Sequence, residues 1–167
     1  MCLGGRGPYT AGVPSGEEAP FELGTDGPRS ILVGVDGSTT SQRAGWYAAG
    51  LARRQGAKVT AVYVAPVSAG LAVTGAAAGL EAARREADEQ VAGDMRRRAV
   101  EFSREFGVPI AFIAVRGDPF TELRRVAEEI RADAVVVGAS AHAGHRLVGS
   151  LAVRLVKAAR WPVTVVP

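Results

Sequence analysis

Ser30-Ile-Leu-Val-Gly-Val-Asp-Gly-Ser38 carries the pattern from which the architecture of the chain follows. Ile31 to Val35 is a short apolar, β-branched run with no polar alternation, the pattern of a strand buried on both faces, and it stops at the turn pair Asp36-Gly37. Ser38 or Thr39 then caps a helix. Its apolar positions Ala44, Tyr47, Ala48, Leu51 and Ala52 recur at helical spacing until Gly56 ends it. A strand leading at once into an amphipathic helix is the first half of a β-α-β unit, which a chain with a parallel sheet repeats.

The repetition is there. Lys58 to Val64 reads as a second strand, and Pro66 to Gly79, small and featureless, as a mobile loop. From about Glu81 to Phe106, the residues Ala87, Val91, Met95, Ala99, Phe102 and Phe106 fall every three or four positions with charges between them, predicting one long amphipathic helix. Pro109 introduces a third strand, Ile110 to Val115. Gly117-Asp118-Pro119 opens a helix with proline in its first turn, where the missing N–H costs nothing, and with Phe120, Leu123, Val126, Ala127 and Ile130 facing inward. Asp133 to Gly138 is a fourth buried strand, Leu151 to Ala159 a last helix begun by Gly149-Ser150, and Pro162 to Val166 a fifth strand. Alternating strands and helices predict an α/β, doubly wound, three-layer domain: a five-stranded parallel sheet with helices on both faces.

Residues 1–28, rich in Gly, Pro and charge and without hydrophobic period, are expected to form a disordered N-terminal extension, leaving residues 29–167 as the single domain. The formal net charge of +3 divides unevenly, −2 over residues 1–30 and +5 over the remainder. That excess is small, and aromatic residues make up only 6% of the chain, so a nucleic-acid surface is not expected. Arg96-Arg97-Arg98, with Arg84-Arg85, reads as the solvated face of the long helix, and Trp46 and Trp161 as packing residues. Cys2 is the only cysteine, which excludes an intrachain disulfide and a thiolate metal cluster. With no long apolar run, the expectation is a soluble, cytoplasmic protein away from membranes.

In doubly wound sheets ligands bind outside the carboxyl ends of the strands, where the winding reverses. Asp36, at a strand end beside a helix N-terminus, suits a ribose hydroxyl or an adenine amine, and equally suits capping the helix together with Ser38. The loop Gly138-Ala-Ser-Ala-His-Ala-Gly-His-Arg-Leu-Val-Gly-Ser150 has the composition of a phosphate cradle, with Ser140, Gly149 and Ser150 as donors and His142, His145 and Arg146 as positive charge; a solvated surface turn has the same composition. The two histidines at i, i+3 have no cysteine or carboxylate nearby to complete a metal site. No G-x-S-x-G elbow is present for nucleophilic catalysis.

Taken together, Ile31-Leu-Val-Gly-Val-Asp-Gly-Ser38, Ala61-Val-Tyr-Val64, Gly117-Asp-Pro119, Ala132-Asp-Ala-Val-Val-Val-Gly138, and Gly149-Ser150 ahead of Trp161-Pro-Val-Thr-Val-Val-Pro167 resemble the universal stress protein family over nearly all of residues 30–167. The resemblance implies a Rossmann-like sheet in the order 3-2-1-4-5, akin to the adenine-nucleotide α-hydrolases, with Asp36 and Gly138 facing one crevice. It implies a homodimer through the last strand, Val163 to Val166, which would otherwise be an unpaired edge. It also implies an adenine nucleotide (ATP, AMP or cyclic AMP) as ligand, with magnesium only as its counter-ion. Asp36 would meet the base or ribose, Val64 would offer backbone to the base, and Gly138, Ser140, Gly149 and Ser150 would hold phosphates. The family's ATP pattern is met in part: Gly138 and Gly149-Ser150 correspond, but Ala141 replaces its second glycine and seven residues, not nine, separate that position from Gly149.

The expected function is therefore non-enzymatic binding in a stress response. Two alternatives stand beside it. One is an interaction module whose partner meets the dimer surface or the Pro66–Gly79 loop. The other is an ATP-cleaving relative of the α-hydrolases, against which Gly34-Val-Asp-Gly-Ser38 stands where a Ser-Gly-Gly-x-Asp-Ser loop is required.

Overall fold

The computed structural model describes residues 27–67, 75–140 and 150–167. Within them the elements run β1 (Ser30–Val35), α1 (Thr39–Gln55), β2 (Lys58–Ala65), α2 (Gly75–Phe106), β3 (Ile110–Arg116), α3 (Pro119–Glu129), β4 (Ala134–Gly138), α4 (Ser150–Ala158) and β5 (Val163–Val166). All strand pairs are parallel and the five-stranded sheet has the order β3-β2-β1-β4-β5. The winding reverses at β1, which lies between β2 and β4: Ile31 stands opposite Val59 on one side and Ala134 on the other.

Parallel pairing requires each crossover to return a helix over the sheet, and the chain uses both faces. Ile31, Val33, Val59, Ala61 and Val136 pack against Ala44, Ala48 and Ala52 of α1; Leu32, Val62, Val135 and Val137 pack against Leu123, Val126 and Ala127 of α3 and Ala152 and Leu155 of α4. The alanine stripe on α1 brings its backbone close to the sheet. The closest approach is at Gly138, where a Cβ would lie 2.6 Å from the Thr40 carbonyl carbon and 2.7 Å from the Ser41 nitrogen.

The start of β1 is fixed by a carboxylate from the next element over. Asp133 Oδ2 accepts the N–H groups of both Arg29 and Ser30 at 2.9 Å, while the Asp133 N–H donates to the Ser30 carbonyl at 2.8 Å.

Two expectations need correction. The loop expected to continue to Gly79 is helical from Gly75, because Ala76-Ala77-Ala78 have the highest helix propensity of any residue and extend α2 backward by more than a turn; residues 68–74 lie outside the described residues. Trp46 does not pack into the core: it is 57% exposed. The core-facing stripe of α1 runs through Ser41, Ala44, Ala48, Ala49 and Ala52, and Trp46 stands beside that stripe rather than on it. Trp161, by contrast, is half-buried against the α3/α4 side of the core.

Candidate functional site

At the carboxyl ends of β1 and β4 the sheet opens into a crevice of about 270 Å³. Its floor is apolar, built from Val62, Val64, Val137 and Leu123, and its rim is polar: Asp36, Ser38, Thr40 and Ser41 on one side, Gly138, Ala139 and Ser140 on the other. Of the residues singled out by sequence, Asp36, Val64, Gly138 and Ser140 are thus brought to one cavity. Ser150 begins α4, whose Leu151 and Ala152 line the same cavity, while Gly149, Ala141, His142, His145 and Arg146 lie outside the described residues.

The β1–α1 loop is held by a short hydrogen-bond circuit. Ser38 N–H donates to Asp36 Oδ1 at 2.9 Å, Ser41 N–H donates to Ser38 Oγ at 3.1 Å, Ser41 Oγ–H donates to the Ser38 carbonyl at 3.0 Å, and Asp36 N–H donates back to Ser41 Oγ at 3.3 Å. Ser38 is the N-cap, and Gly37 takes the turn at φ 83°. Burial pushes the Asp36 carboxyl up, but hydrogen bonds from the Ser38 side chain and backbone and from Ser41 outweigh it and hold the group below the ordinary carboxylate range. Asp36 therefore both organises the loop and presents a charged carboxylate at the crevice. Gly138 has a second task as well: its bare Cα admits the first turn of α1, so the glycine is required by packing before any ligand is considered.

Three helix N-termini converge on this cavity: Ser38, Thr40 and Ser41 from α1, Pro119 from α3, and Leu151 and Ala152 from α4. The first turns of α1 and α4 carry no acidic residue to neutralise their positive ends. Such ends attract anionic oxygens. Thr40, Ser41 and Leu123 did not stand out in the sequence. The signal for Ser41 was its position three residues after the Ser38 cap; none pointed to Leu123 except its place on the inner stripe of α3.

A clamp fixes α4 to the wall of the crevice. Arg154 donates two hydrogen bonds of 3.1 Å to the two oxygens of Asp118, and its guanidinium lies 4.3 Å from the centre of the Phe120 ring. Asp118 also caps α3, accepting from Thr121 N–H at 3.0 Å and from Thr121 Oγ–H at 2.8 Å. The Arg154 hydrogen bonds, then those of Thr121, hold its carboxyl down to about 2.

A parallel sheet whose winding reverses at β1, with helices on both faces and a crevice at that switch point, defines the class of doubly wound α/β proteins. Within that class the family can be stated. Residues 28–167 match the model of the universal stress protein family, and this chain belongs to that family. It is 32% identical over 142 residues to universal stress protein MJ0531 of Methanocaldococcus jannaschii, an alignment covering 83% of this chain and 81% of that protein. In three dimensions it is similar to the universal stress protein UspA from Lactobacillus plantarum, with TM-score 0.73, 28% identity, and coverage of 83% of this chain and 97% of the other. It is also similar to the universal stress protein from Archaeoglobus fulgidus in complex with dAMP, with TM-score 0.56, 27% identity, and coverage of 83% and 97%. Among the described residues no helix is long and apolar enough to cross a membrane.

Proposed function

We propose that this protein binds an adenine nucleotide, without turning it over, in the crevice between β1 and β4, and that it does so as a homodimer. The reading is carried by two helix N-termini free of first-turn acidic residues, those of α1 and α4, which meet at a cavity with an apolar floor and a charged carboxylate at one end. An adenosine fits that division: its base against Val62, Val64 and Leu123, its hydroxyls or exocyclic amine toward Asp36, and its phosphate toward Ser140 and the start of α4. The similar Archaeoglobus fulgidus protein in complex with dAMP supports the ligand class. A monophosphate or cyclic monophosphate is favoured over ATP, because the segment from Ala141 to Gly149 is shorter than the family's triphosphate cradle.

The test is a calorimetric titration of the protein with AMP, cyclic AMP, ADP and ATP, with and without magnesium, repeated on Asp36→Ala. One saturable site per chain, weakened at least tenfold in the variant, is expected. Absence of binding by all four would discard the reading, and release of pyrophosphate would replace it with the hydrolytic one.

Pairing through β5 is supported by its place at the edge of the sheet and its four half-buried residues, beside the exposed Val153 and Val156 of α4. Light scattering should give twice the chain mass, reverting to one on Val165→Lys; a monomeric wild type would contradict it.

A further inference from the structure

The opposite face of the sheet carries a second concavity. α1 and α2 both lie over this face but do not close on each other. α2 is held near its beginning by Arg116 of β3, which pairs with Asp88 at 3.2 Å and Glu81 at 3.5 Å, and near its end by half-buried Phe106 packed against the core and by Ser103 Oγ–H donating to the Val108 carbonyl at 2.7 Å. Between those fixings no residue of α2 is buried. The result is a groove of about 470 Å³ whose floor is Val33, Ala61 and Phe112 and whose walls are Trp46 on α1 and Met95 and Phe102 on α2. Its rim is mixed, with Arg98 beside Glu101 and Glu105, so burial rather than charge would hold an occupant.

The described chain begins at the lower end of this groove. Lys58 N–H donates to the Arg29 carbonyl, and the adjacent floor residue Val59 stands opposite Ile31, so Gly27 lies only a few residues below the floor. Gly27 also abuts α1: a Cβ there would meet Gln55 Oε1 at 2.3 Å, which puts the incoming chain on the α1 side of the sheet. Working backward from Gly27, the first apolar cluster is Pro20-Phe21-Glu22-Leu23. At about 3.3 Å per extended residue Leu23 can reach roughly 13 Å from Gly27 and Phe21 roughly 20 Å, enough to enter between α1 and α2.

We propose that the segment Pro20–Leu23 folds back into this groove, with Phe21 and Leu23 inserted against Trp46, Phe102 and the sheet. The upper end of the groove reaches Gly37 and Met95, and Val35 and Ser41 line both this groove and the crevice around Asp36. An occupied groove therefore backs the loop that presents Asp36, and the N-terminal segment becomes a brace for the site rather than a free extension. The placement does not depend on what the crevice binds.

Disulfide trapping in the full chain tests it. In a Cys2→Ser background, Leu23→Cys is paired with Gly45→Cys, a groove residue at which a Cβ meets nothing within 4 Å, or with Arg124→Cys on α3 across the sheet. Oxidation should close the 23–45 pair within the chain at least tenfold faster than the 23–124 pair. A second readout uses Trp161→Phe, which leaves Trp46 as the only tryptophan: acrylamide should quench Trp46 at least twofold more strongly once Phe21→Ala and Leu23→Ala are added. Equal trapping rates, or quenching unaffected by those substitutions, would overturn the proposal. So would Trp46 protection that disappears on dilution and ignores residues 21 and 23, which would assign the groove to a second copy of the chain.

Discussion

Gly138→Ala isolates the contact that seats α1 on the sheet and so shapes the crevice. The added Cβ would lie 2.6 Å from the Thr40 carbonyl carbon, 2.7 Å from the Ser41 nitrogen and 2.8 Å from the Thr40 oxygen, all backbone atoms of a helix that cannot rotate away as a side chain can. Reaching an ordinary contact of 3.4 Å or more means moving the first turn of α1 by close to 1 Å. That turn is continuous with Ala44, Ala48 and Ala52 in the core, and a gap of about 0.5–1 Å forfeits a quarter to a half of each dispersion contact. Overpacking of this kind costs about 1–3 kcal/mol, and rigid backbone on the receiving side puts the expectation at about 2–3 kcal/mol. For a chain of this length each kcal/mol lowers the melting temperature by about 2–4 °C, so a drop of roughly 5–10 °C is expected by circular dichroism. Two other glycines serve as controls. Gly34→Ala meets only the Leu123 and Val137 side chains at 3.4–3.7 Å and should cost under about 1 kcal/mol, and Gly79→Ala, within α2 and in open space, should gain about 0.5–1 kcal/mol. If Gly138→Ala melted with wild type while the controls behaved as expected, α1 would not sit where the close approach requires.

Two further substitutions test the polar fixings. Asp133→Ala removes the acceptor of the Arg29 and Ser30 N–H groups; with the Arg29 bond exposed and the Ser30 bond partly buried, a loss of about 2 kcal/mol is expected in urea unfolding, and a loss below about 0.5 kcal/mol would contradict the role of Asp133 in fixing the start of β1. Asp118→Asn keeps a good helix cap but loses the charge that faces Arg154. Because the Asp118 carboxyl sits at about 2 in the fold against an ordinary 3.8, its contribution is complete above about pH 4 and disappears as pH falls through 2. The variant should therefore be less stable than wild type at neutral pH and equal to it below pH 2, and a pH-independent difference would contradict the pairing.

Much of this arrangement was legible because burial on both faces leaves a plain mark in sequence. Ile31–Val33 and Val135–Val137 read as strands and are strands, each residue at most 3% exposed. The strand order came from resemblance rather than from periodicity, since period reports which face is buried and not which strand lies alongside. Long-range polar pairs were illegible for the same reason: Asp133 with Ser30 and Arg154 with Asp118 are separated by 103 and 36 residues, and nothing local distinguishes them from surface charges. Trp46 reads as a packing residue because an aromatic in a helix is normally an inward one; here the contact stripe of α1 is formed by Ser41 and four alanines, and Trp46 stands beside it. At the site, Asp36 showed through its strand-end position, whereas its dual task depended on the side-chain circuit with Ser38 and Ser41, which only the folded backbone assembles.

Amide chemical-shift mapping of the protein titrated with AMP reports where the nucleotide sits. Saturable shifts are expected at Val35, Asp36, Val64, Gly138, Ala139 and Ser140, with Val59, Ala99 and Glu105 of the α1–α2 groove unmoved. Shifts centred on that groove, or none at millimolar AMP, would contradict binding in the crevice between β1 and β4.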